Sequence, residues 1–136
     1  MTARTWIIVG AVFAALAVGT GAFGAHGLKG RLQASGHLDT DEVARRLNSY
    51  EIAVRYQMYH ALALVLVGLL ALQWSSSWLH AAGGCFTAGI LIFSGLLYAL
   101  ALGGPKILGA IVPIGGLAFI IGWLALAAAA LALAKK

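Results

Sequence analysis

Tyr56, Gln57 and His60 stand within about one helical turn of each other, His60 four residues from the phenol and three from the amide. Side chains at those spacings are neighbours on a helix surface. Ser94 and Tyr98 repeat the four-residue spacing later in the chain, and His26 and Arg55 flank apolar stretches. Imidazole, phenol, amide and hydroxyl groups offer hydrogen-bond donors and acceptors without formal charge. In apolar surroundings each needs a partner, because burial without one is costly. Two arrangements meet that need. One is a hydrogen-bonded network that fixes helix register. The other is a pocket lined by His26, Tyr56, Gln57, His60, Ser94 and Tyr98, with Arg55 at its mouth, suited to a lipid headgroup or a small amphipathic ligand.

Sharper chemistry fails on the same residues. Gly19, Gly21 and Gly24 match G-x-G-x-x-G literally, but a dinucleotide fingerprint needs a preceding strand, which a membrane span cannot supply. A metal site needs three or four placed ligands, and the carboxylate nearest to His60, Glu51, is roughly 13 Å away along a helix. Two histidines could ligate a haem axially, but nothing else in the sequence supports one. No Ser/His/Asp constellation exists, since every carboxylate lies between Asp39 and Glu51. No metal, cofactor or catalytic residue is expected.

The elements that must position these groups follow from the distribution of charge. Four apolar stretches, about Trp6–Ala25, Tyr56–Gln73, His80–Leu102 and Ile107–Ala134, contain no Asp, Glu, Lys or Arg in their centres. A bilayer core about 30 Å thick takes about 20 helical residues to cross, and all four stretches approach that length. With 62% hydrophobic and 10% charged residues and a mean hydropathy of +0.94, the chain reads as one integral membrane domain over residues 1–136. The formal charge of +5 reflects cations that flank spans, not a nucleic-acid footprint. Cys85 stands alone, so no intrachain disulfide is possible. The first span resembles a signal peptide in its Arg4 and its small residues Ala22, Gly24 and Ala25, but its apolar run is long for one. It reads as a retained helix.

Between the first two spans, Gly27–Leu38 reads as a loop or interfacial turn. Asp39 then caps a helix, with Glu42 in the reciprocal capping position. Val43, Leu47, Tyr50 and Val54 form an apolar stripe opposite Asp41, Arg45, Asn48 and Glu51, and Glu51 and Arg55 form an i,i+4 pair. This amphipathic helix, about 40–55, either projects from the membrane or bends and packs across the end of the bundle. The latter is expected, since Tyr50 and Val54 run directly into the span.

Trp74 and Trp78 bracket a short link and suit the membrane interface. Gly103–Lys106 is a tight turn, so spans two to four are antiparallel neighbours. Pro113 should loosen the early part of span four. Small residues at helical spacing, Ala11, Ala15 and Gly19, Gly84 and Ala88, Ala118 and Gly122, together with Gly24, Gly115 and Gly116, are expected to mediate helix packing within the bundle.

Lys29, Arg31, Arg45, Arg46, Arg55 and Lys106 would share one side of the membrane, against Arg4, Lys135 and Lys136 on the other. The positive-inside rule then places the long first connection in the cytoplasm.

With this topology, Gly19–His26 (GTGAFGAH), Tyr56–His60 (YQMYH), Ser94–Tyr98 (SGLLY) and Pro113–Gly116 (PIGG) meet at one membrane surface. GAFGAHGL, YEIAVRYQMYHALAL, FSGLLYALALGG and VPIGGLAFIIGWLAL resemble, in that order and over essentially the whole chain, the family of small bacterial membrane proteins that includes YgdD and YwdK. Members usually carry Thr before PIGG, where this chain has Val112. The resemblance implies a multi-pass inner-membrane location; the family being of unknown function, there is no activity to transfer.

The expected fold is therefore all-α, an antiparallel four-helix transmembrane bundle with an amphipathic helical extension before the second span. The expected role is non-enzymatic binding of membrane lipids or a protein partner at the polar end. A small-molecule transporter or channel acting as a homo-oligomer is the second reading. Against it stands the lack of an intramembrane carboxylate, the usual coupling group of ion-driven carriers.

Overall fold

A computed structural model describes residues 1–133. Ala134, Lys135 and Lys136, which end the fourth expected span and enter the orientation argument, lie outside the described residues. The described residues form four helices, α1 (Ala3–Ala34), α2 (Thr40–Gln73), α3 (Ser77–Ala101) and α4 (Leu108–Leu133), each long and apolar enough to cross a membrane. No strand occurs among the described residues. The helices run antiparallel as an all-α bundle, α1 lying along α2, α4 along α3, and α2 also against α3. Trp6, Leu64, Val67, Leu79, Phe86 and Phe119 are central to the main core.

Gly27–Leu38 is not the loop its glycines suggest. α1 passes through a π-helical turn, Gly24–Leu28, and continues as an α-helix over Lys29–Ala34. A π turn inserts one residue and rotates everything beyond it relative to an ideal helix. Leu28 and Leu32 are thereby buried with Val43, Tyr50 and Ala101 in a second cluster. That packing overrides the weak helix propensity of Gly27 and Gly30.

α2 is an unbroken helix from Thr40 to Gln73, so its first turns do not bend across the bundle end. They run beside the continuation of α1 and the end of α3. The stripe behaves as expected in burial: Val43 and Tyr50 are buried and Asp41, Arg45, Asn48 and Glu51 exposed. Within hydrocarbon, helices gain little from hiding apolar surface from lipid. Beyond it, water makes each buried leucine worth about 1.5–3 kcal/mol, which is what holds the two extensions together.

Only half of the capping box forms. Asp39 Oδ1 accepts the Glu42 N–H at 2.7 Å, while the Glu42 carboxylate turns away to accept from Arg45 at 2.8 Å and Arg46 at 2.9 Å. Those guanidiniums, Arg46 first, hold the Glu42 carboxyl down at about 2. The Glu51–Arg55 pair forms at 3.0 Å. Trp74 turns inward against the main core, whereas Trp78 is half exposed. Pro113 sits inside α4 without ending it.

Helix contacts rest on four of the six expected glycines and on further glycines outside that set. A Cβ on Gly10 would come within 2.7 Å of the Ala61 carbonyl oxygen, and one on Gly68 within 2.8 Å of the Ile7 backbone nitrogen. These two glycines let the α1 and α2 backbones touch. Gly83 and Gly89 admit the rings of Trp6 and Phe119. Among the expected set, Gly24 faces the Tyr50 ring, Gly115 and Gly116 face Phe93, and Gly122 faces Phe86. Gly19 and Gly84 face open space, and Ala11 and Ala15 are exposed, so the stripe on span one packs against nothing in the bundle.

Gly68→Ala is expected to destabilise the protein by about 1–3 kcal/mol through backbone overpacking, with Gly19→Ala near neutral, as read by denaturant unfolding in detergent micelles. The Glu42 contribution is present above the ordinary carboxylate range and is lost as pH falls through about 2. Arg46→Gln should raise the titration midpoint of the Glu42 carboxyl, followed by carbon-13 NMR.

Candidate functional site

Gln57 is 5% exposed, which places a full amide inside the bundle. Its Nε2 donates to the Phe13 carbonyl oxygen of α1 at 2.9 Å, and its Oε1 accepts from the Tyr98 hydroxyl of α3 at 2.9 Å. The chain of bonds goes on. Thr20 Oγ1 lies 3.1 Å from the Tyr98 hydroxyl and 3.0 Å from the Leu16 carbonyl oxygen. The Tyr50 hydroxyl donates to the Thr20 carbonyl oxygen at 3.1 Å, and the Tyr50 and Tyr98 rings meet edge-on at 4.9 Å. Tyr98 has one proton and gives it to Gln57, so the Thr20 contact closes only when Thr20 turns its single proton from the Leu16 carbonyl to the Tyr98 hydroxyl. One amide and three hydroxyls thus tie α1, α2 and α3 together.

The other face of α2 builds a different environment. His60, also 5% exposed, stacks on Phe119 of α4 with ring centroids 3.5 Å apart and an interplanar angle of 11°. Trp123 Nε1 donates to His60 Nε2 at 3.2 Å, and His60 Nδ1 lies 2.8 Å from the Tyr56 carbonyl oxygen. An indole N–H can only donate, so Nε2 must accept. The imidazole is therefore the neutral Nδ1–H tautomer, donating to Tyr56. Around it opens a groove of about 600 Å³ between α2 and α4, lined chiefly by Tyr56, Tyr59, Phe93, Gly116, Phe119 and Trp123. Phe93 comes from the second π turn, Ile90–Ser94, where the Gly95 N–H reaches back to the Ile90 carbonyl.

The structure does not gather the sequence candidates into one pocket. Gln57 and Tyr98 join the buried chain, and Tyr56 and His60 line the groove. Ser94 is fully buried with no partner for its hydroxyl among the described residues. Arg55 is exposed and paired with Glu51, and His26 is exposed on the α1 π turn, away from both. The division is a consequence of helix geometry: Gln57 points to α1 and α3, and His60, three residues on, to α4.

Sequence reasoning missed Thr20, Tyr50 and Trp123 as polar partners. Trp123 had a signal of its own, since an indole N–H within an apolar span needs an acceptor. A similar pair closes the far end, where Trp6 Nε1 donates to His80 Nδ1 at 3.0 Å. Among the described residues no cluster of metal-ligating side chains is present.

Tyr98→Phe should cost about 1–3 kcal/mol, because the Gln57 carbonyl loses its buried donor. A double-mutant cycle with Gln57→Leu in micelles should give a coupling of about 0.5–2 kcal/mol; strict additivity would mean that the two groups do not act together. Nitrogen-15 spectra of His60 should show a neutral ring protonated at Nδ1, a preference that Trp123→Phe weakens.

Comparison with known proteins gives a consistent picture. A family model described as a protein of unknown function (DUF423) matches residues 20–116, a stretch that takes in the Thr20–Tyr98–Gln57 chain and stops short of Phe119 and Trp123. A UPF0382 membrane protein of Staphylococcus epidermidis is 48% identical over 94% of this chain and 96% of its own length. One from Staphylococcus aureus is 48% identical over 90% of this chain and 92% of its own, and YwdK of Bacillus subtilis 44% over 93% and 96%. No solved structure matches. The chain belongs to the DUF423 family, whose relatives are named membrane proteins, and it carries that family's sequence on a four-helix multi-pass bundle.

Proposed function

We propose that this protein is a non-enzymatic lipid-binding protein of the cytoplasmic membrane, taking an acyl chain of an anionic lipid into the groove between α2 and α4. The groove is the observation that carries the reading. Its floor is the Phe119–His60 stack, and Tyr59 and Trp123 present rings that are 58% and 45% exposed. Pro113 and Trp123 both line it and are ten residues apart, so it extends along α4 for roughly 15 Å. Arg55 stands four residues before Tyr59, one turn nearer the membrane surface on the same helix face. Released from its exposed pair with Glu51, a guanidinium there would meet a phosphate while the aromatic walls meet the chain.

The absence of chemistry elsewhere supports the non-enzymatic part. All four carboxylates, Asp39, Asp41, Glu42 and Glu51, lie on or just before the extension of α2, and His60 commits both ring nitrogens to structure. Among the described residues no acid and base pair lines the groove.

Gly116→Leu tests the reading, because a Cβ at Gly116 makes only ordinary contact with Phe93, at 3.7 Å, while a longer side chain enters the groove. Native mass spectrometry of protein released in mild detergent should show a discrete lipid mass on the wild type and on a Gly19→Leu control, with at least a fivefold loss of occupancy in Gly116→Leu. Equal retention in all three would refute the groove as a lipid site.

A further inference from the structure

Beyond the spans, where α1 ends, α2 begins and α3 turns into α4, the chain forms an open pocket of about 400 Å³. Arg31, His37 and Arg46 line it together with Leu28, Leu32 and Leu102. Arg46 spends only its Nε on Glu42, at 2.9 Å, and neither of its terminal nitrogens meets an acceptor among the described residues. Nη1 lies over the α3–α4 turn, where a Cβ on Gly103 would come within 3.1 Å of it. Gly103 also has a φ of 101°, a conformation favouring glycine, so the turn that admits the guanidinium is doubly specified.

Arg31 and His37 pair with no carboxylate among the described residues. The Ser35 hydroxyl gives its proton to the Leu32 carbonyl oxygen at 2.6 Å. Glu42, the carboxylate on Arg46, is shared with Arg45, so it does not neutralise the group. The cavity therefore presents forked cationic donors next to an apolar wall.

We propose that this cavity binds a phosphate group, as carried by the headgroup of an anionic membrane lipid or as the free anion. Planar guanidiniums match the oxygens of phosphate in pairs, and basic pockets between helices at a membrane surface recognise such headgroups. The leucines favour the lipid-borne form. The site is separate from the α2–α4 groove and shares no lining residue with it.

The test uses the full chain in neutral detergent with three probes: dioctanoyl phosphatidic acid, dioctanoylglycerol and inorganic phosphate. Phosphatidic acid should bind, dioctanoylglycerol should not, and Arg31→Gln with His37→Gln should weaken binding by about tenfold or more. Arg31→Lys should recover part of that loss; the series is read on the Gly116→Leu background, which closes the α2–α4 groove to lipid, and Gly19→Leu should leave binding unchanged. Displacement of the lipid by inorganic phosphate would identify the free anion as a ligand, and its persistence would identify the lipid; either supports the proposal. Equal binding of dioctanoylglycerol would overturn it, as would unchanged affinity in the double variant. Both substituted side chains are exposed, so the melting temperature should stay at the wild-type value. If it fell, the comparison of the two lipids on Gly116→Leu protein, with the groove closed, would still decide.

Discussion

A polar group inside a bilayer is costly unless it hydrogen-bonds within the protein, and in this bundle the amide of Gln57 is where that requirement is most demanding. Its donor and acceptor sides face different helices, so both are met only when α1 and α3 stand at fixed heights against α2. Shape completes the arrangement. Gly10 and Gly68 bring the α1 and α2 backbones into contact, which sets the Phe13 carbonyl within reach of the amide. α4 is attached by separate means, the aromatic stack and the Trp123–His60 bond. α2 is thus the hub: one turn of it serves three neighbours.

The four spans, their antiparallel order and the apolar stripe of the α2 extension were legible in the sequence, because charge exclusion and helical periodicity are local signals. What escaped was geometry that depends on neighbours. Gly27 and Gly30 read as loop residues, yet Leu28 and Leu32 find partners in Val43 and Tyr50 that keep the helix going. The small-residue stripe Ala11, Ala15, Gly19 has the spacing of a packing face but points away from the bundle, while Gly10, one position earlier, makes the contact. A shift of about 100° decides the difference, and spacing alone carries no phase. The polar candidates were identified as residues but not as groups: Gln57 and His60 looked like one site and serve two.

Each π turn lies beside one of the two cavities proposed as binding sites. The turn in α1 delivers Leu28 and Leu32 to the wall of the basic cavity, and the turn in α3 delivers Phe93 to the aromatic groove. An inserted residue breaks the one-to-one match between carbonyls and amides, a local loss that persists where it re-aims side chains. Ser94 sits at the end of the second turn with its hydroxyl buried and unpartnered, so that turn concentrates both the re-aimed ring and an unmet polar group.

The neutrality of the membrane-embedded part has an electrical consequence. Between Tyr56 and Gln73, His80 and Leu102, and Ile107 and Leu133 the sequence holds no acidic or basic side chain apart from histidine. Trp123 and Trp6 each donate into a histidine nitrogen, an arrangement that requires an uncharged ring. A transmembrane voltage acts on displaced charge, at about 2.3 kcal/mol per elementary charge per 100 mV. The centres of these spans thus hold no acidic or basic side chain other than histidine for such a voltage to move. The bundle's cations stand at the surface, where lipid composition and ionic strength, not voltage, set the forces they feel.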